Sequence, residues 1–183
     1  MNLQRGFFMR AALAAAIMVP GAAVCRASDN VAAAQTSSQA AVTSVAPDFS
    51  RKRLTGGDEI HLGAYRGKVV LLNFWATWCS PCLSEIPHFA QWQTRYGRQG
   101  LQIIGVSMDD DEAPVRTAYA KFKLNYPVVM GDARLAALFG GIYGLPVTLL
   151  IDRRGTIRYR HKGEVHLDAM AHELETLLAE RPR

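Results

Sequence analysis

The chain has 183 residues, of which 49% are hydrophobic and 20% charged; this composition is typical of one globular domain with a processed or flexible end, and it argues against a disordered chain or a polytopic membrane protein. The formal net charge is +5, but three arginines (Arg5, Arg10 and Arg26) belong to the leader described below, and without them 18 basic residues face 16 acidic ones. So small an excess does not support binding to a polyanion, and we expect no nucleic-acid partner.

Residues 1–27 have the pattern of a secretory signal peptide. A basic start precedes an apolar run over residues 11–24, and the segment contains no acidic residue. We expect cleavage after Ala27, with a cut near Ala23 as the competing site. The apolar run is shorter than a bilayer span requires, so a retained membrane anchor is the less favoured alternative. Either alternative predicts a periplasmic protein, free or tethered to the inner membrane.

Cys25 lies inside this leader and raises the question of lipid attachment. The acylated cysteine of a bacterial lipoprotein follows a small residue, whereas Val24 precedes Cys25. We therefore expect an ordinary leader, with lipidation as the alternative. Loss of the leader leaves two cysteines in the mature chain.

Residues 28–45 are built of small and polar residues with no aromatic side chain, which predicts a flexible linker. We expect the folded domain to occupy residues 46–183. A hairpin is predicted at its start because Gly56 and Gly57 supply the positive φ angles of a tight turn. Residues 68–75 form an almost unbroken apolar run, which is typical of a central strand covered on both faces.

The remaining elements follow from apolar periodicity and turn residues. The predicted strands cover residues 49–54, 59–62, 68–75, 101–107, 127–130, 147–151 and 156–160. The predicted helices cover residues 80–96, 112–122, 134–139 and 167–178. Strands that alternate with helices and end in a hairpin predict an α/β fold with a mixed central sheet sandwiched by helices.

The chemistry is expected in the stretch Trp78-Cys79-Ser80-Pro81-Cys82, where a buried strand ends and a helix begins. At a helix N-terminus, unpaired amides and the helix dipole lower the pKa of the first cysteine. Cys79 is therefore the predicted attacking thiolate. Cys82, one turn on and less exposed, is predicted to resolve the mixed disulfide.

Three alternatives for this pair stay open at this point. A purely structural disulfide is disfavoured because a bridge closing so short a loop constrains the unfolded chain little. Zinc is disfavoured because there is no second cysteine pair and the histidines lack metal-site spacing, so we expect no metal and no cofactor. Copper(I) held by the two thiols is chemically possible as an accompaniment. The histidines are expected at the surface or as helix caps: His61, His88, His161, His166 and His172.

The segment Asn73-Phe74-Trp75-Ala76-Thr77-Trp78-Cys79-Ser80-Pro81-Cys82 resembles the active-site segment of thioredoxin-like proteins of the TlpA, ResA and DsbE type. A second segment is similar to the corresponding segment of the DsbE branch, which serves cytochrome c maturation. It consists of Gly141-Ile142-Tyr143-Gly144-Leu145-Pro146 and the two strands that follow. The resemblance covers residues 46–183. It implies a thioredoxin fold with an N-terminal β-hairpin and an inserted helix-strand-helix segment before a cis-proline.

The resemblance also implies roles for particular residues. Pro146 would be the cis-proline that faces the cysteines, so that Trp78, Leu145 and Pro146 form the binding site for an extended client strand. Glu85 would be the acidic residue that tunes the cysteines and moves protons. Helical spacing independently places Glu85 on the face of Cys82, and an exposed helix carboxylate is the alternative.

Two positions depart from patterns of thioredoxin-like proteins. Thioredoxin proper has an aspartate at the position of Asn73, whereas the TlpA-like group has an asparagine there, as this chain does. Val147 stands where the DsbE branch usually has a glutamate, which puts apocytochrome c in doubt as the partner. Trp75 is expected in the core.

The leading hypothesis is a monomeric periplasmic thiol:disulfide oxidoreductase that reduces cysteine pairs of client proteins. Apocytochrome c and a copper-site protein are candidate clients, and a membrane or periplasmic thiol donor would resupply electrons. A copper-site assembly protein is one alternative. A thiol peroxidase is another, for which Thr77 gives weak support and Ala76 leaves the expected motif incomplete.

Overall fold

The computed structural model describes residues 44–181. The predicted leader and nearly all of the predicted linker lie outside the described residues. At the end of that linker, Ser44–Val45 form a short strand, β1, which pairs with a strand near the C-terminus. The first strand therefore begins two residues before the predicted start of the folded domain.

The elements that follow agree closely with the periodicity of the sequence. The other strands are β2 Ser50–Lys52, β3 Glu59–His61, β4 Val69–Trp75, β5 Leu101–Ser107, β6 Val128–Met130, β7 Val147–Ile151 and β8 Thr156–Lys162. The α-helices are α1 Ser80–Tyr96, α2 Glu112–Lys121, α3 Ala133–Leu138 and α4 Leu167–Ala179. Within residues 44–181, no helix combines the length and the apolar character needed to cross a bilayer.

The strands form one mixed sheet and one hairpin. The six-stranded sheet has the order β1-β8-β7-β4-β5-β6. Strands β4, β5 and β6 run parallel, whereas β7 and β8 are antiparallel to their neighbours. The hairpin β2-β3 turns through Gly56 and Gly57, whose φ angles are +92° and +80°. The predicted mixed sheet, N-terminal hairpin and helix-strand-helix segment α2-β6-α3 are confirmed.

Strand β4 is the centre of the core because all of its residues are buried. Successive side chains of a strand point to opposite faces. Leu71 and Trp75 pack on the side of α1, α2 and α4, and Leu72 and Phe74 pack on the side of α3 and the hairpin. Each such side chain contributes about 1.5–3 kcal/mol through burial. The sheet thus holds two apolar layers, and β4 fixes the position of whatever follows Trp75.

Candidate active site

Cys79 lies at the junction of β4 and α1. The chain leaves β4 at Trp75, turns, and enters α1 with Cys79 as the N-cap residue. The sulfur of Cys79 accepts a hydrogen bond from the backbone N–H of Cys82 at 3.3 Å. Pro81 occupies the first turn of the helix, where a missing N–H costs nothing. An anionic sulfur at this position would be stabilised by the N–H of Cys82 and the positive end of the helix dipole.

Cys79 and Cys82 form a disulfide, with an S–S distance of 2.04 Å. Cys79 is 7% exposed and Cys82 only 1%. Cys79 is therefore the more accessible residue of the pair. The predicted difference in accessibility is confirmed.

The segment before β7 lies at the same end of the sheet as the cysteines. The Leu145-Pro146 peptide bond is cis, as the family resemblance implies. Val147 lies opposite Phe74, so Pro146 comes level with the end of β4. Leu145 packs against the apolar cluster that contains both cysteines. Cys79, Cys82, Leu145 and Pro146 therefore meet at one end of the domain.

Two aromatic side chains in the loops at this end are largely exposed. Trp78, directly before Cys79, is 70% exposed, and Tyr143, three residues before Pro146, is 99% exposed. By contrast, Trp75 is 1% exposed, in the core as predicted. Exposed aromatic rings near a reactive group offer contact area to a partner. Sequence analysis selected Trp78 but not Tyr143, although Tyr143 stands in the Gly141–Pro146 stretch.

Glu85 lies one helical turn beyond Cys82 and is only 2% exposed, so the alternative of an exposed helix carboxylate is wrong. Its Oε1 accepts a hydrogen bond from the backbone N–H of Val165 at 3.3 Å, and its Oε2 is buried and has no hydrogen-bond partner among the residues that the structure describes. Burial raises the pKa of Glu85 to about 7; the N–H of Val165 opposes this effect and the charge of Glu164 adds to it. The side chain can therefore hold or release a proton near neutral pH.

The raised pKa of Glu85 predicts a pH dependence of stability. Between pH 4.5 and about 7 the folded protein retains a proton on Glu85 that the unfolded chain has released. The free energy of unfolding should therefore fall as the pH rises through this interval. We expect the oxidised Glu85→Gln variant to lack this decrease and to be more stable than the parent above pH 7 by roughly 1–2 kcal/mol.

Urea denaturation of both oxidised proteins at pH 5 and pH 8 measures this difference. Glu112→Gln is the matched control, because Glu112 is exposed and its one ion pair within residues 44–181 is with Arg116 on the surface of α2. Equal pH slopes for the parent, the control and Glu85→Gln would contradict the assignment of the slope to Glu85.

Asn73 and His161 lie on the face of the sheet that packs against α1 and α4. The side-chain amide of Asn73 donates to Thr148 Oγ1 at 3.0 Å, and Thr148 lies opposite His161 on β8. The Nε2 atom of His161 is 2.7 Å from a carboxylate oxygen of Glu173 on α4. The expectation that every histidine lies at the surface or caps a helix is wrong for His161, which is 2% exposed. Strand β8 faces α4, which supplies Glu173 as a half-buried partner.

Val147 does not belong to the group of polar side chains formed by Asn73, Thr148 and His161. Its side chain is buried in the layer that packs against α3, opposite Phe74.

Among residues 44–181, no group of three or more metal-ligating side chains is close enough to hold an ion. The candidate site therefore consists of the cysteine pair, Glu85, and the loops that end in Trp78 and Pro146.

Asp109 was not identified from the sequence, yet it contacts the turn before Cys79. Its carboxylate accepts hydrogen bonds from the backbone N–H and the hydroxyl of Thr77. The signal in the sequence is the position of Asp109 just after β5. The carboxyl ends of parallel neighbouring strands meet at one edge of a sheet, so a polar residue there lies near whatever follows β4.

Comparison with known proteins places these features in a family context. Residues 42–160 match the model of the AhpC/TSA family. The chain is 34% identical over 137 residues to the thiol-disulfide oxidoreductase ResA of Geobacillus thermodenitrificans, covering 75% of this chain and 78% of that protein.

Solved structures show the same similarity. A protein from Chlorobium tepidum, described as thiol:disulfide interchange protein DsbE, is 30% identical with a TM-score of 0.70, covering 75% of this chain and 98% of that one. A secreted thiol-disulfide isomerase from Corynebacterium glutamicum is 25% identical with a TM-score of 0.66, covering 73% of this chain and 85% of that one.

Proposed function

This chain belongs to the AhpC/TSA family and is a thiol:disulfide oxidoreductase of the ResA and DsbE type with the thioredoxin fold, and from that premise we propose that it reduces cysteine pairs of exported client proteins. The observation that carries the proposal is the placement of Cys79. Its sulfur caps α1 and accepts a hydrogen bond from the N–H of Cys82, and Cys79 is the more exposed residue of the pair.

The proposed reaction starts from the dithiol form of the protein. The Cys79 thiolate attacks one sulfur of a client disulfide, which forms a mixed disulfide and releases the other client sulfur as a thiolate. Cys82 then loses its proton and attacks the sulfur of Cys79, and the second client sulfur leaves. Two electrons pass to the client, which ends as a dithiol, and the Cys79–Cys82 disulfide forms.

Glu85 is the proposed acceptor of the Cys82 proton. It lies three residues after Cys82 on α1, and residues at this spacing share one helix face. A pKa of about 7 matches the requirement that a general base near neutral pH both take and return a proton. The Oε2 atom supports this role because it is buried and has no hydrogen-bond partner within residues 44–181, so it is available to receive the proton.

The proposed client site lies between the loop before Cys79 and the loop before β7. Trp78 would pack against client side chains, while the backbone of Leu145 and Pro146 would receive an extended client strand. This mode of recognition uses main-chain hydrogen bonds for affinity and local pockets for specificity. It suits an enzyme that acts on unfolded or extended cysteine-containing segments.

We place this reaction in the periplasm, with the chain either released or tethered. The predicted leader supports export, and the secreted Corynebacterium relative supports an extracytoplasmic location. Apocytochrome c or a copper-site protein is the proposed client, and a membrane or periplasmic thiol donor would return the Cys79–Cys82 disulfide to the dithiol. The protein is proposed to act as a monomer.

The equilibrium reduction potential of the cysteine pair tests the direction of the reaction. We expect a value near or below roughly −200 mV when the protein is equilibrated with glutathione buffers, because a reductant must lie below the poise of its compartment. Quantifying the two redox forms by thiol alkylation and mass spectrometry gives the potential. A value near that of a strong oxidant, roughly −120 mV, would contradict reduction of clients while leaving disulfide exchange intact.

A further inference from the structure

Asp109 joins the loop after β5 to the loop after β4. These strands are parallel neighbours, with Ser107 paired to Trp75 at their ends. The backbone N–H of Met108 donates to the carbonyl of Trp75 at 2.8 Å, which holds the two loops together at their bases. One residue further on, the carboxylate of Asp109 reaches across to Thr77.

The carboxylate of Asp109 is held by several hydrogen bonds. The Thr77 N–H donates to both of its oxygens, at 3.0 Å and 3.3 Å, and the Thr77 hydroxyl donates to Oδ1. The Ser107 hydroxyl donates to Oδ2 at 2.7 Å and in turn accepts the Asp109 N–H at 3.2 Å. The residue is only 7% exposed. Asp109 is therefore a fixed part of the loop and not a solvated surface charge.

No cation compensates this charge among residues 44–181, since none of their ion pairs includes Asp109. Burying an unpaired carboxylate costs free energy that a neutral side chain would avoid. The turn that it binds has only three residues, Ala76 to Trp78, before the reactive cysteine. Within that turn the Cys79 N–H donates to the Ala76 carbonyl at 3.2 Å. Fixing Thr77 thus fixes the approach of the chain to Cys79.

We infer that Asp109 is a positioning residue for thiol:disulfide exchange: it fixes the turn that presents Cys79, and its carboxylate, bound to the N–H of Thr77, holds a negative charge two residues before that cysteine. The two effects are separable. The hydrogen bonds hold Cys79 and Trp78 in the reactive arrangement, which speeds attack. The charge disfavours a second negative charge on Cys79 and so raises the pH at which the thiolate forms.

Three variants separate these effects. Asp109→Asn removes the charge and keeps the size of the side chain and one acceptor oxygen for the Thr77 N–H. Thr77→Val removes the hydroxyl contact and keeps the charge. Asp109→Ala removes both. Asp110→Asn is the matched control, because Asp110 is the exposed neighbour on the same loop and makes no side-chain hydrogen bond within residues 44–181.

The measurement is the rate of reaction of the reduced protein with dithiodipyridine between pH 5 and pH 9. Each variant is made in a Cys25→Ser background, because Cys25 is the third thiol of the chain. Within residues 44–181, Asp110, Glu112 and Asp132 line one pocket with Asp109, and Glu85 is buried on α1. Lys162, at the end of β8, lines a pocket with Leu145, and the charge of Glu164 raises the pKa of Glu85. Apart from the Asp110 control, the variants leave these groups unchanged.

We expect Asp109→Ala to lower the rate constant at pH 7 about 10-fold, because small displacements of a reacting group are costly. Thr77→Val should lower it several-fold with an unchanged pH midpoint. Asp109→Asn should move the midpoint down by about half a pH unit with a smaller loss of rate. Asp110→Asn should change neither the rate constant nor the pH midpoint.

Rates for Asp109→Ala and Thr77→Val within twofold of the parent would overturn the positioning role. A midpoint for Asp109→Asn equal to that of Asp110→Asn would overturn the electrostatic role. If Asp109→Ala does not fold, Thr77→Val and Asp109→Asn still decide both points.

Discussion

Replacing Cys79 with serine is expected to lower the catalysed reduction of a client disulfide by about 1000-fold or more, because a serine hydroxyl stays protonated at neutral pH and is a far weaker nucleophile than a thiolate. Every electron that leaves the proposed enzyme passes through the sulfur of Cys79. The N–H of Cys82 and the start of α1 stabilise an anion there, and neither can ionise a hydroxyl. Reduction of insulin disulfides, with dithiothreitol as the electron source, measures the loss.

Ser80→Ala is the matched control for this substitution. Ser80 lies next to Cys79, is exposed, and begins the same helix. It should retain activity within a few-fold of the parent, which would show that disturbance of the helix start does not explain the loss. Activity of Cys79→Ser above about one hundredth of the parent value would mean that another group performs the attack.

The sequence predicted the scaffold well because the scaffold depends on local patterns. Strand β5 has the predicted bounds and β4 begins one residue late, since a mostly apolar run bounded by polar residues leaves few alternatives. Helix α1 also begins and ends as predicted. The cysteine pair could be placed at its start because the spacing of two cysteines after a buried strand is itself local.

What the sequence did not predict depends on contacts between distant segments. Asp109 and Thr77 are 32 positions apart, and the partner of Glu85, Val165, is 80 positions away. No periodicity of α1 shows that Glu85 is buried next to the loop before α4, and burial is what raises its pKa. The burial of His161 was not predicted for the same reason, because its partner Glu173 contacts it only when α4 packs on β8. Strand β1 was missed because its two exposed residues carry no apolar pattern.

The substitution Cys82→Ala should separate attack from resolution, because it leaves the nucleophile in place and removes the group that releases the client. The reduced variant should react once with a client disulfide and then stall as a mixed disulfide on Cys79, so that insulin reduction falls by about 100-fold. The stall should be long-lived because the variant has no sulfur at position 82 to attack Cys79 from within the protein.

Peptide mapping by mass spectrometry after mixing with oxidised insulin identifies the cysteine that carries the adduct, and it separates Cys79 from Cys25. Cys79→Ser is the comparison, since it keeps only the buried sulfur of the pair and should form little adduct in the same time. If Cys79→Ser instead accumulated more adduct than Cys82→Ala, the attacking and resolving roles would be reversed. The present assignment rests on two features that act together: the N-cap position gives Cys79 the more stable thiolate, and its greater exposure gives clients access to that sulfur.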